Sequence, residues 1–255
     1  MNIHCCKIFI DRVFKKNIDS VASNKLLVTG NAVKTVWKYI TQFFYVAINW
    51  NIWMAFFMLY DSIRGTLKYG SNTFIPVELK DLNVVKGDIK KASRYEPVSF
   101  YMLEQLLSAF RKLSDQTSIV DLGCGKGRMM MAAPHFGFTN ITGIDFAKEI
   151  CEQAIANMKK KEKQFPDIRW RVINENVENY NIAPDDCVFF MFNPFNQSVL
   201  KNFLRNLDIS CDEYPRSIYF IYASPQHQKL LLDNGYAIVY QKQKMHLKGI
   251  IVVRD

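Results

Sequence analysis

The residues of this chain best suited to chemistry stand in three short stretches: Asp121-Leu122-Gly123-Cys124-Gly125-Lys126-Gly127-Arg128, Gly143-Ile144-Asp145-Phe146, and Asn193-Pro194-Phe195. The first follows the apolar pair Ile119-Val120 and runs into Met129-Met130-Met131-Ala132-Ala133. That is the composition of a parallel strand turning tightly into a helix. Gly123 permits the sharp exit from the strand, Gly125 lets the backbone approach a ligand, and Gly127 lets the new helix pack closely. The amides at the helix start then face something polar. Asp145 falls 20 residues beyond Gly125, where doubly wound nucleotide sites place a carboxylate that accepts hydrogen bonds from ribose hydroxyls.

The spacing separates the nucleotide loops open to these residues. A P-loop needs a Gly-Lys-Ser/Thr triplet, whereas Lys126 is followed by Gly127 and Arg128, so that class is excluded. The dinucleotide fingerprint wants a pair of residues between its second and third glycines, and only Lys126 stands there, which disfavours it. The pattern from Asp121 to Arg128 resembles instead the first motif of the class I S-adenosylmethionine-dependent methyltransferases. The plain alternative is a glycine-rich turn in another doubly wound protein.

A parallel sheet is needed to hold these stretches in place. Residues 118–122, 140–146, 168–173, 187–192 and 216–222 read as strands, and the unbroken apolarity of Val188-Phe189-Phe190-Met191-Phe192 marks a central strand buried on both faces. Phe100, Leu103, Leu106, Leu107 and Phe110 recur at helical spacing, with Pro97 expected in the first turn. A further helix is expected over 147–163, where Lys159, Lys160, Lys161 and Lys163 complement its dipole. After a short helix over 225–233, residues 236–241 and 249–253 read as two strands of an antiparallel hairpin. The implied fold class is α/β: a Rossmann-like, seven-stranded class I methyltransferase sheet with a terminal antiparallel hairpin, plus an N-terminal helical extension.

The resemblance runs from about Tyr95 to Val253. It is to a bacterial group of methyltransferases of mostly unassigned substrate that carry a Tyr-x-Pro segment, with a distant likeness to mitochondrial protein-lysine methyltransferases. It implies S-adenosyl-L-methionine as cofactor. By that resemblance Gly123, Gly125 and Gly127 cradle the methionine and ribose portions, Asp121 meets the methionine amine, and Asp145 holds the ribose hydroxyls. Phe146 lies against adenine and Tyr95 covers the methionine end. Asn176 takes the place of the family's usual acid as acceptor for the adenine amine, a bond that an amide carbonyl also accepts. Asn193-Pro194-Phe195 stands where amine and amide methyltransferases keep an Asn/Asp-Pro-Pro-aromatic motif. There an amide carbonyl accepts the substrate N–H and a ring stacks on the target. An Asn-Pro turn that merely ends the strand is the other reading. Lys126 and Arg128 either meet an anionic group or are solvated loop charges.

The chain of 255 residues carries a formal charge of +9. Residues 1–90 hold 12 Lys+Arg against 6 Asp+Glu, and residues 91–255 hold 21 against 18, so the excess is N-terminal. A solvated basic surface explains it as well as a nucleic-acid groove does. Six cysteines at 5, 6, 124, 151, 187 and 211 form no Cys-x-x-Cys pair, which excludes zinc and points to a reducing, cytoplasmic setting. Residues 1–92 read as an aromatic, helical extension and connector, and 93–255 as the methyltransferase domain. Residues 43–60 are uncharged, with Asn49 and Asn51 inside the run. Two buried amides disfavour a membrane span, so residues 36–60 are expected to form a peripheral helix that packs on the catalytic domain, with contact to a membrane surface and a true span as the alternatives. Gly65, Gly70, Ser71, Asn72, Pro76 and Gly87 are expected to break that helix and to make residues 65–92 a connecting region. The methyl acceptor is expected to be a protein or small-molecule amine, with nucleic acid as the alternative. A methyltransferase-like binding module without catalysis is the competing class.

Overall fold

The computed structural model describes residues 40–70, apart from 42, 45 and 50, together with 97–255. The chain divides into two compact units, Met1–Leu59 and Tyr60–Asp255.

In the first unit, the described positions between 40 and 49 are helical. Asn51 then interrupts the chain and caps α1 (Ile52–Tyr69), its Oδ1 accepting from the Met54 amide at 2.7 Å. The single aromatic helix expected over 36–60 is therefore interrupted at Asn51, because that polar residue caps α1. Val46, Met54 and Ala55 form a small apolar cluster with Phe43, Ala47 and Met58. Among the described residues no helix is long and apolar enough to cross a membrane.

The second unit takes in the last turns of α1. The helix runs past Gly65, the first of the expected breakers, to Tyr69 and stops at Gly70, another of them, whose φ is +68°. Gly65 is instead a point of close approach, since a Cβ there would lie 2.0 Å from the Phe100 ring. Phe100 opens α2 (Phe100–Phe110), which Ser99 caps, so Pro97 lies just outside the first turn in which it was expected. Asp61 accepts from the Ser99 hydroxyl and the Tyr101 amide at 2.9 and 2.8 Å. Glu104 gathers Arg64, Lys68 and Tyr69.

The sheet holds β1 (Ser118–Leu122), β2 (Asn140–Asp145), β3 (Arg169–Asn174), β4 (Val188–Met191), β5 (Ile218–Ala223), β6 (Ala237–Lys244) and β7 (Leu247–Arg254) in the order β3-β2-β1-β4-β5-β7-β6. The first five are parallel and β7 is antiparallel to both neighbours, which is the expected terminal hairpin. Side chains alternate between two cores. Val188 and Phe190 enter the one containing α2, α3 (Arg128–Ala132) and α4 (Lys148–Glu162), while Phe189 and Met191 enter the other with α5 (Gln197–Glu213). The helix α5 is not anticipated from the sequence. The hairpin is preceded by α6 (Gln228–Asp233). Strand order reverses between β1 and β4, and a sheet of this kind opens its ligand crevice at the carboxyl ends beside that reversal.

Candidate cofactor and acceptor site

The loop leaving β1 is stitched to β2. The amides of Gly123 and Cys124 both donate to the Ile144 carbonyl at 2.9 Å, and the Gly125 amide donates to Asp145 Oδ2 at 3.0 Å. Asp145 Oδ1 accepts from the Ala147 amide at 3.0 Å, so one carboxylate fixes the loop and the start of the next helical segment together. Gly123, Gly125 and Gly127 all have positive φ, at 75°, 54° and 76°. Side chains are strained in that region, so the loop presents bare backbone at the crevice. Gly127 caps α3, and a Cβ there would stand 3.4 Å from Ala154 of α4.

Asp121 lies beside Gly143 of β2 and Phe190 of β4. It is 3% exposed, and among the described residues no donor reaches its carboxyl. Burial, and then the neighbouring Asp145, push its pKa well above the ordinary range. Burial likewise lifts Asp145 to about 6, against the opposing amides of Ala147 and Gly125. Two buried acids at the ends of adjacent strands, one of them without a hydrogen-bond donor, are a receptor for a ligand bearing a cation and hydroxyl donors. Phe146, half-buried, directly follows.

The cations of the loop are not solvated charges. Arg128 is buried, donates from Nη1 to the Val98 carbonyl at 2.6 Å, and lies 4.2 Å from the centre of the Phe100 ring. Lys126 is buried as well, and its carbonyl accepts from Asn157 Nδ2 at 2.9 Å. Asn176 caps the turn Val177–Asn179: its Oδ1 accepts from the Glu178 amide at 3.1 Å, and its Nδ2 donates to Glu178 Oε2 at 3.0 Å. One lone pair of that carbonyl is thus spent on the cap. Tyr95 lies outside the described residues.

Across the reversal point, Asn193 follows β4 in a left-handed conformation, φ 43°. Its Nδ2 donates to the Ser224 carbonyl, and its Oδ1 accepts from the Tyr222 hydroxyl at 2.7 Å and from the Gln226 amide at 3.3 Å. Ser224 is left-handed too, φ 51°. Pro194 packs on Gly123. Phe195 does not present the stacking face expected of it; it is 7% exposed and sits in the core with Val199 and Leu200. Tyr222, Ser224 and Gln226 carry no sequence signal beyond lying at the end of a strand. A separate cleft of about 320 Å³, lined by Ser118, Asn140, Arg169 and Arg171 among others, opens at the amino ends of β1–β3, away from these groups.

Residues 119–209 match the model of a methyltransferase domain family. No curated protein shows a significant sequence match to the chain. Solved structures similar to it include a candidate RNA methyltransferase from Pyrococcus horikoshii, with 18% identity, a TM-score of 0.47, and coverage of 69% of this chain and 90% of that one. Another is magnesium protoporphyrin IX methyltransferase from Synechocystis with bound S-adenosylmethionine, with 13% identity, a TM-score of 0.46, and 60% and 77% coverage. A third is a candidate methyltransferase from Escherichia coli, with 15% identity, a TM-score of 0.47, and 68% and 98% coverage.

Proposed function

We propose that the chain, whose residues 119–209 match a methyltransferase domain family, is a class I S-adenosylmethionine-dependent methyltransferase that transfers the methyl group to a nitrogen of a protein or small-molecule amine. The cofactor supplies an electrophilic methyl on a sulfonium, and the residues present fit it. Asp121 would meet the α-ammonium, the bare backbone at Gly123–Gly127 would receive the methionine and ribose portions, and Asp145 would take the ribose hydroxyls. Phe146 would pack against adenine, and Asn176 would offer its remaining lone pair to the adenine amine. Methyl transfer is an in-line displacement, so placing the nucleophile is most of the task.

The observation that carries the nitrogen reading is the left-handed Asn193. A non-glycine residue in that region is strained and persists only where its surroundings hold it. Here Tyr222, Gln226 and Ser224 fix the amide at the carboxyl edge of the sheet, one strand from Asp121. The 3.3 Å contact from Gln226 is the weaker of the two on Oδ1, and an acceptor N–H takes that lone pair while Tyr222 keeps the carbonyl aimed. Asn193→Ala should lower turnover by roughly 10²–10³ with little change in S-adenosylhomocysteine affinity. The assay is tritium transfer from S-adenosylmethionine into cell extract treated separately with protease and nuclease. An unchanged rate reduces Asn193 to a turn residue, and label removed by nuclease replaces the amine with nucleic acid.

A second reading concerns where the enzyme works. Ile48, Trp53 and Phe44 of the first unit are 80%, 73% and 57% exposed, on a stretch without charge. Aromatic and aliphatic side chains of this kind settle into a headgroup boundary, and the basic excess of residues 1–90 suits an anionic surface. The reading is a peripheral membrane contact. Release of the protein by a carbonate or high-salt wash supports it, whereas retention until detergent is added shows an integral anchor and recovery wholly in the soluble fraction removes the contact.

A further inference from the structure

Asp121 differs from its neighbour in a way that bears on how the cofactor site fills, and the inference rests on the cofactor reading above. Asp145 has both oxygens held by backbone amides, so its charge is partly compensated within the protein. Asp121 has nothing comparable. It is 3% exposed, and no donor among the described residues reaches it. The titratable groups facing it are Asp145 from the end of β2 and the thiol of Cys124 from the loop. Both are groups that become negative on ionisation, and neither offers a cation. From β4 it meets Phe190. Of the two buried cations of the loop, Arg128 is held by the Val98 carbonyl and the Phe100 ring, and Lys126 is not among the groups that shift Asp121. Burial and the Asp145 carboxylate raise its pKa well above the ordinary value, in keeping with the geometry.

An ionised Asp121 in the free protein would be a buried charge with no hydrogen-bond donor or cation paired to it among the described residues, a state that proteins avoid by protonation. We propose that Asp121 is a neutral acid in the free protein and gives up its proton when the α-ammonium of the cofactor arrives, so that cofactor binding releases a proton. The O–H bond of the carboxyl breaks, the proton passes to buffer, and the carboxylate left behind is paired by an ammonium that entered already charged. The sign of the pH dependence follows. Below the free-state pKa of Asp121 the proton must be expelled, so affinity rises roughly tenfold per pH unit. Above it the acid is already ionised and the dependence flattens.

Calorimetric titration of the full chain with S-adenosylhomocysteine, in buffers of unlike protonation heat at matched pH, reads the proton directly. Release of close to one proton at the acid end, fading as pH rises, is the expected result. 5′-Methylthioadenosine, which lacks the amine, should bind without release. Asp121→Asn should bind S-adenosylhomocysteine with neither proton release nor the steep pH dependence. Should that variant not fold, infrared spectra of the wild type carrying ¹³C-labelled aspartate serve instead: a protonated carboxyl band should vanish on adding S-adenosylhomocysteine. Binding with identical heat in every buffer at every pH, a persistent acid band, or undiminished release in Asp121→Asn overturns the inference alone. Failure of S-adenosylhomocysteine to bind at all overturns the cofactor reading and this inference with it.

Discussion

Gly123, at the exit of β1, and Pro194, after β4, are pressed together so closely that a Cβ on Gly123 would stand 2.1 Å from the Cβ of Pro194. The cofactor loop and the turn that carries Asn193 therefore share one contact, and each sets the position of the other. Gly123 also has φ +75°, so two separate constraints act on it. Gly123→Ala should weaken S-adenosylhomocysteine binding by at least tenfold while the protein still folds, since left-handed backbone alone costs a side chain about 1–2 kcal/mol. The double variant Gly123→Ala with Pro194→Gly removes the clash and leaves the backbone penalty, so affinity should recover only in part. Full recovery would show that the backbone conformation carries no cost, and no recovery would show that the Pro194 contact carries none.

Gly65 offers a prediction whose sign is opposite to that of helix propensity. Replacing glycine by alanine inside a helix ordinarily stabilises by about 1 kcal/mol. Here the new methyl would meet the Phe100 ring at 2.0 Å, and Phe100 is wholly buried and stacked on Tyr69. Overpacking of a fixed aromatic costs about 1–3 kcal/mol, which exceeds the propensity gain. Gly65→Ala should lower the midpoint of denaturant unfolding. A raised midpoint would show that the α1–α2 contact yields easily.

The parts of this fold that follow from local pattern were legible in the sequence. The continuous apolar run of β4 and the Asp121–Arg128 spacing placed the central strands and the loop to within a residue or two, because burial on both faces and positive φ each demand particular residue types. Gly65 and Asn51 depart from expectation for a shared reason: glycine marks close approach as well as helix ends, and asparagine mid-run is a cap as readily as a polar residue inside one helix, and only the partner, Phe100 or the Met54 amide, tells which. The helix α5 had a signal, Asn196 followed by Val199, Leu200, Phe203, Leu204 and Leu207 at helical spacing, that tertiary context was not needed to see. The tie between Asn193 and Tyr222 had none, since the two residues lie 29 positions apart, one in the turn after β4 and the other on β5. The same holds for Asp121, which no donor reaches among the described residues.

Glu104 supplies the clearest pH dependence of stability. Burial on its own would raise this carboxyl, but Arg64, Tyr69 and Lys68 all donate to it, and together they hold it at about 2. An acid whose folded value lies below its unfolded one contributes stability that is present in full above the unfolded value. That contribution is lost as pH falls through the folded value, here between the ordinary glutamate range and about 2. A shift of this size corresponds to a few kcal/mol at most, and the half-exposed Lys68 arm is screened by water, so on the order of 2 kcal/mol is a fair expectation. Glu104→Gln keeps the shape and cannot ionise. It should be less stable than the wild type at neutral pH, and the gap should close as acid is added. Denaturant unfolding of both proteins across the acid range measures it. A gap of constant size down to about pH 2 would mean that packing, and not the charge held by Arg64, is what Glu104 contributes.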